Sequence, residues 1–418
     1  MRILFLAPRF PYPPTRGDCI RAWGELEYLS RRHEIWLACL DQRRPADADL
    51  DHVRRRCAAV EVTVRSRASA WWRGGRHFLR GGSLVDGFFR DPALLARVER
   101  WAQAVRFDAV LIFAPEMAQY AACVPGARRV LDMNDVESFK FQCYARRARP
   151  PLGWLYECEA GRLMAAERRW AATHDVCLLV NERERRKLDA AARPRASAVV
   201  RTGVDLSRYA PVASAALPRA PVVGFVGSMF YPPNVQAVEW FGRNVWPRVK
   251  RALPAARWLI VGNRPVRSVR RWGRMPGVTV TGFVEDVGAY LAQMRVFACA
   301  VHEEIGVQTK LIEALAAGRP AVVTPAVAAG IDYAGAPPFL IADSSGDFAE
   351  AVIRLLADEA LASALSQQAR AVAERNYRAE DQYALVERWL AGSATWGDEP
   401  GRTHAASRQH RPEAAVAS

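Results

Sequence analysis

Short runs of Ile, Leu and Val recur along the chain, separated by stretches with helical periodicity. The first cycle is Ile3–Leu6, a helix over about Asp18–Arg31, and Ile35–Leu40. This rhythm predicts a parallel sheet wrapped by helices. Further strands are expected at Val60–Val64, Ala109–Phe113, Arg129–Leu131, Val176–Val180 and Ala198–Val200, with helices near 91–105 and 153–172. Residues 1–203 therefore read as one doubly wound unit.

Periodicity fades between Gly203 and Pro221, where Pro211, Pro218 and Pro221 stand among alanines and serines. Such a stretch predicts a linker, over 204–221. The strand rhythm restarts with Val222–Val226, Trp258–Val261, Val278–Thr281, Val296–Ala300, Ala321–Val323 and Phe339–Ile341. Helices at about 346–357, 360–375 and Asp381–Leu390 complete a second doubly wound unit over 222–391. Residues 392–418 are small, polar and charged without period and are expected to be disordered. The fold class is thus α/β, with two Rossmann-like domains facing a cleft, because ligands of such sheets gather at the carboxyl ends of the strands.

With 418 residues and 50% apolar content, the chain can bury two ordinary cores. Its net charge of +15 favours anionic partners such as nucleotides, phosphorylated lipids or membrane surfaces. The cations are nearly all arginine, with lysine only at Lys140, Lys187, Lys250 and Lys310. Eight cysteines without a C-x-x-C pair or a histidine cluster read as reduced core residues of a cytosolic protein. The opening Ile3–Leu6 run is too short for a signal peptide, and no run reaches the roughly 18 apolar residues that cross a bilayer. Membrane contact is therefore expected to be peripheral, at the inner face of the plasma membrane.

The first strand leads into Pro8-Arg9-Phe10-Pro11-Tyr12-Pro13-Pro14-Thr15-Arg16-Gly17-Asp18. A G-x-G-x-x-G turn is missing there, which argues against a nicotinamide-binding domain. Gly17 at a helix start would let a substrate approach backbone N–H groups, with Arg9 and Arg16 adding positive charge. In the second half three turns follow strands: Gly227-Ser228, the turn with Arg264, and Gly282-Phe283-Val284. Asp286 suits a helix cap.

Most informative is Glu304 through Pro320, a glycine turn feeding a helix. Free N–H groups around Gly306, Val307, Gln308 and Thr309 would bind a diphosphate through hydrogen bonds and the helix dipole. Lys310 and Glu313 stand three apart and share one helix face, the ammonium toward the N-terminus and the carboxylate one turn inward. That order suits a nucleotide diphosphate.

Together these motifs, with Leu131-Asp132-Met133-Asn134-Asp135-Val136-Glu137-Ser138-Phe139-Lys140 and Gly203-Val204-Asp205, resemble the GT-B glycosyltransferases of family 4. Within them they resemble the sugar transferases associated with exosortase and PEP-CTERM exopolysaccharide clusters. The resemblance implies a retaining, metal-independent hexosyl transfer from a UDP- or GDP-linked sugar, with no further cofactor. The acceptor would be a surface polysaccharide or a polyprenyl-linked oligosaccharide bound by the first domain. Glu313 would hold the ribose, Gly282 to Val284 the base, and Lys310 with Arg264 the phosphates. Gly17 would face the diphosphate or sugar from the opposite domain. Asp135 is a catalytic candidate, and Arg16, Asp18 and Lys140 are acceptor-side candidates.

Two positions depart from the family pattern. Ile305 stands where a first carboxylate is usual, and Ser228 with Tyr231-Pro232-Pro233 replaces the usual Arg and Lys after the first strand of the second domain. Alternatives are a nucleotide-sugar epimerase of the same fold, a noncatalytic relative and, from charge alone, a nucleic-acid binder, for which no recognition motif is present. The stretch Trp71-Trp72-Arg73-Gly74-Gly75-Arg76-His77-Phe78-Leu79-Arg80 interleaves rings and cations, which suits either an anionic membrane interface or a packed loop.

Overall fold

The computed structural model describes residues 1–14, 17–209, 217–303 and 306–394. The expectations for Arg16, Glu304 and Ile305, for 210–216 of the linker and for 395–418 of the tail fall outside them.

In the first domain β1 (Arg2–Ala7), β2 (Glu34–Asp41), β3 (Ala59–Val64), β4 (Ala109–Phe113), β5 (Arg128–Asn134), β6 (Val176–Leu179) and β7 (Ser197–Val199) form one parallel sheet in the order β3-β2-β1-β4-β5-β6-β7. Both faces of β1 are buried, which is why its sequence is a continuous apolar run. Ile3 and Phe5 pack on one side with helix Gly17–Ser30, and Leu4 and Leu6 on the other with helices Pro92–Ala104 and Leu152–Thr173.

The second domain holds β8 (Val222–Val226), β9 (Arg257–Val261), β10 (Val278–Val280), β11 (Val296–Cys299), β12 (Ala321–Val323) and β13 (Leu340–Ile341). These are also parallel, in the order β10-β9-β8-β11-β12-β13. The two-unit architecture expected from the strand rhythm is the one observed.

Three expectations are corrected. Helix Ala379–Ala391, assigned above to the second domain, belongs to the first: Leu385, Val386, Trp389 and Leu390 complete the core beneath β1. The start of the linker is built in rather than loose. Val204 and Tyr209 are buried in the second domain's core, and Val204 bridges to Arg378 where the chain crosses back. The aromatic and basic stretch is helix Arg67–Leu79, started by the Ser66 side chain, which accepts from the Ser69 N–H. A second helix, Leu84–Phe89, packs against it.

A polar hub joins the domains at this double crossing. Asp332 accepts from Arg201 Nε at 3.0 Å and from the Glu182 N–H at 3.2 Å. Its main-chain carbonyl accepts from Asn376 Nδ2 at 2.9 Å.

Candidate active site

In each sheet the strand order reverses direction once, between β1 and β4 and between β8 and β11, and the crevice beyond such a switch point is where this topology binds ligands. A cavity of about 370 Å³ lies at the first switch point. Its walls are the loops leaving β1 (Arg9), β4 (Glu116) and β5 (Asp135), together with Gly17 and Lys140. Val307 and Thr309 close it from the second domain, so the cavity belongs to the interdomain cleft.

The turns expected to carry the donor stand side by side because their strands do. After β8, the Gly227 N–H donates to Val261 O at 3.0 Å. After β9, the Gly262 N–H donates to Thr281 Oγ1 at 3.4 Å, and Thr281 Oγ1 donates to Gly282 O at 2.9 Å. Gly262 is held at φ 152°, and an added Cβ would fall 1.6 Å from Gly227 O, so close stacking of these turns requires glycine. Ser228 is half-buried, while Phe283 is 69% exposed on the outermost turn and Val284 packs on the core. Asp286 accepts from the Gly288 N–H at 2.8 Å, as a helix cap should.

After β11, residues Gly306–Gln308 lead into helix Thr309–Ala316. Gln308 provides no side-chain cap for this helix, and Thr309 at its start lines the cavity, which puts the positive end of the helix dipole beside it. The Lys310 side chain runs past Gly227, its Nζ 2.6 Å from Gln308 Oε1 and 5.6 Å from the centre of the Phe225 ring. Burial lowers the proton affinity of the ammonium, with Cys299 and Glu313 opposing.

Glu313, one turn on, is half-buried and faces a second cavity of about 690 Å³ with Arg208, Tyr209 and Arg370. Burial raises its carboxyl pKa, partly offset by Arg208 and Lys310. Thr309 lines both cavities and so marks where they meet.

Of the other expected residues, Asp18 and Lys140 line the interdomain cavity and Arg264 does not. Arg264 is exposed, and its guanidinium lies 4.9 Å from the centre of the Phe230 ring. Asp18 is 2.9 Å from Arg9 Nε, and Lys140 Nζ is 2.8 Å from Glu137, so both acceptor-side candidates already hold partners. Asp132 is structural: it is fully buried and accepts from Arg21 Nη2 at 2.6 Å.

Asp135 lines the interdomain cavity. Burial raises its carboxyl to about 7, with Glu184 adding and Lys140 opposing, and its Oδ1 is a buried oxygen without a hydrogen-bond partner. Glu116, not anticipated from the sequence, stands on the same cavity, also raised by burial to about 7. The signal was present: Ala114-Pro115-Glu116 follows the Ala109–Phe113 strand, which flanks the switch point. Among the described residues no three His, Cys, Asp or Glu side chains converge as a metal site.

Residues 220–358 match the family described as Glycosyl transferases group 1. No curated protein matches the chain. Among solved structures the fold is similar to HepE of Anabaena in complex with UDP and glucose. Identity there is 15% over 94% of this chain and 99% of that one, with a TM-score of 0.62. Sucrose-phosphate synthase of Thermosynechococcus elongatus is similar at 14% identity, covering 94% of this chain and 100% of its own, with a TM-score of 0.69. WaaG, a glycosyltransferase involved in lipopolysaccharide biosynthesis, is similar at 17% identity over 94% and 99%, with a TM-score of 0.58. The fold is therefore that of the GT-B glycosyltransferases, two parallel-sheet Rossmann-like domains across a cleft.

Proposed function

We propose that the chain is a glycosyltransferase that moves a hexose from a UDP- or GDP-linked donor, with retention and without a metal, onto a surface polysaccharide or lipid-linked oligosaccharide. The observation that carries the reading is the uncapped N-terminus of helix Thr309–Ala316. Its first residue, Thr309, lines two cavities, one walled by Gly17 and Asp135 of the first domain and the other by Glu313, while Lys310 runs between this helix and the Gly227 turn. The match of residues 220–358 and the UDP bound to HepE support it.

In this reading the nucleotide lies along the turns after β8 to β11. Glu313 accepts from the ribose hydroxyls, Phe283 and Val284 flank the base, and Ser228 approaches the phosphates. Breaking the bond between the sugar C1 and the diphosphate puts negative charge on the leaving oxygens, which Lys310 and the helix N–H groups stabilise. Asp135 and Glu116 accept hydrogen bonds from the incoming hydroxyl. The membrane-side assignment, a family 4 relation and a place among exopolysaccharide transferases belong to the same proposal. The exposed rings of Trp71 and Trp72 support the membrane contact.

A thermal-shift titration with UDP, GDP and their sugar conjugates tests the donor site. One nucleotide class is expected to raise the melting temperature of the wild type and not of Glu313→Ala. A wild type that no nucleotide stabilises would overturn the reading.

A further inference from the structure

Away from the cleft, a groove of about 710 Å³ runs between the helix pair at Arg67–Phe89 and helix Leu152–Thr173. It adjoins a second hollow of about 610 Å³ and shares His77, Arg80, Arg90 and Gln119 with it. Neither shares a lining residue with the cavities of the candidate active site.

The groove is built of cations, and not all are spent. Arg162 Nη1 donates to Phe78 O and Gly82 O at 2.5 and 3.0 Å, and Arg73 pairs with Asp91 at 2.8 Å. Arg80, Arg90 and Arg169 make no ion pair or side-chain hydrogen bond among the described residues. Of the nearby carboxylates, Glu159 is consumed by the start of helix Leu84–Phe89, accepting from Ser83 Oγ and from the Leu84 and Val85 N–H groups. Asp86 is the acidic side chain on the wall. Burial lifts it to about 7 against the pull of Arg169 and Arg90, so at neutral pH it can donate a proton rather than only repel.

Two polar atoms of this wall are buried without partners. Asp86 Oδ1 belongs to a residue 9% exposed, and His174 Nε2 to a residue 4% exposed. The other ring nitrogen of His174 lies 2.8 Å from Trp170 O, which fixes the imidazole orientation. An anion in the groove would draw a second proton onto the ring and let Nε2 donate to it.

The helix carrying Arg80's side of the groove also exposes apolar side chains. Trp72, 64% exposed, lines the adjoining hollow, its ring 5.2 Å from the Arg76 guanidinium, and Trp71 and Leu79, 52% and 87% exposed, lie on the same helix outside both hollows. Phosphate chemistry inside and exposed rings outside together fit a phosphate carried on a hydrocarbon chain. One short helix, Pro115–Cys123, separates the groove from the cleft. Its Glu116 faces the cleft, and Ala118, Gln119 and Ala121 face the groove.

We propose that this groove is a second anion site that binds the phosphate or diphosphate head of a membrane lipid through Arg80, Arg90 and Arg169, while Trp71, Trp72 and Leu79 seat its chain. The site rests on the membrane-side reading above for its lipid source, but not on the donor site. It would hold a lipid-borne acceptor one helix away from Asp135.

The test is co-sedimentation of the full chain with phosphatidylcholine vesicles doped either with a polyprenyl diphosphate or with phosphatidylserine at equal charge. Three proteins are compared: wild type, Arg80→Ala/Arg90→Ala/Arg169→Ala, and the charge-matched control Arg267→Ala/Arg270→Ala/Arg274→Ala, with melting temperatures to verify folding. Wild type and control are expected to bind the diphosphate vesicles at least about tenfold more tightly than the serine vesicles, and the groove variant to lose that preference. Inorganic pyrophosphate should compete. Equal binding of wild type and groove variant to both vesicles would overturn the site while leaving general membrane contact standing. Arginine-dependent binding of pyrophosphate with no vesicle preference would overturn the lipid assignment in favour of a free diphosphate. No binding to any vesicle or to pyrophosphate would overturn both the site and the membrane-side reading.

Discussion

Asp135 and Gly306 meet across the interdomain cleft so closely that a Cβ on Gly306 would lie 2.7 Å from Asp135 Oδ2. Gly306 is also held at φ 56°, where an ordinary side chain is strained. The contact brings the carboxylate of the first domain against the turn that feeds the N-terminus of helix Thr309–Ala316. Arg147 Nη1 of the first domain also reaches Glu303 of the second at 3.5 Å.

Gly306→Ala should therefore separate function from stability. The backbone strain costs about 1 kcal/mol, a small shift in melting temperature, whereas displacement of Asp135 or the turn should lower kcat/KM by about tenfold or more. Steady-state kinetics beside a melting curve checks this. Unchanged kcat/KM would mean that the contact does not position the site.

Removing the Lys310 ammonium takes a cation from where charge develops on the leaving diphosphate. Lys310→Ala is expected to lower kcat by about 10²- to 10³-fold with a smaller change in donor KM, because the interaction strengthens as the bond breaks. An equal loss in binding alone, with kcat kept, would assign Lys310 to uniform donor binding instead.

The raised carboxyl of Asp135, about 7 against an ordinary 3.8, makes a signed pH prediction. The fold favours the protonated form, so this group's contribution to stability is fully present below about pH 4, declines as pH rises, and is lost above about pH 7. Asp135→Asn removes that loss. The variant should be more stable than wild type by about 1–3 kcal/mol at pH 8 and show a flatter profile between pH 4 and 7. Urea midpoints across that range decide it. A variant no more stable than wild type at pH 8 would contradict the burial of the charge.

Beneath the cleft, Arg21 ties Glu25 (3.0 Å) and Asp132 (2.6 Å) in a fully buried triad and donates to Val200 O at 3.1 Å. Burial and the neighbouring Asp132 raise the Glu25 carboxyl, which favours its protonated form beside the Arg21–Asp132 ion pair. Glu25→Gln should change stability by less than about 1 kcal/mol at pH 7, while Arg21→Ala, which strands a buried carboxylate, should cost about 3–5 kcal/mol. Chemical denaturation of both variants tests the assignment. Comparable losses would place a full negative charge on Glu25.

Much of this organisation is written locally. Strands buried on both faces are continuous apolar runs, so Ala109–Phe113, Val222–Val226 and Ala321–Val323 are expected and observed at the same residues. The turns at Gly227 and Gly282 were legible because small residues closely follow such runs, and Asp286 because a cap acts within its own turn. The amphiphilic stretch at Trp71 was harder to place. Its rings and cations read either as an anionic membrane interface or as a packed loop, whereas the stretch is a helix started by the Ser66 cap and packed on Leu84–Phe89.

By itself, then, the sequence determined two parallel α/β units and the turn chemistry at the ends of their strands, because buried strands, helix periodicity and caps depend on neighbours a few residues away. Tertiary structure alone decided which of those turns meet. Glu116 and Asp135 share a cavity with Thr309, Arg264 turns to Phe230, and helix Ala379–Ala391 returns to the first domain's core. Those outcomes depend on strand order and on the double crossing at Val204 and Arg378, which juxtapose residues far apart in the chain, and no local pattern of apolar and polar positions encodes such distances.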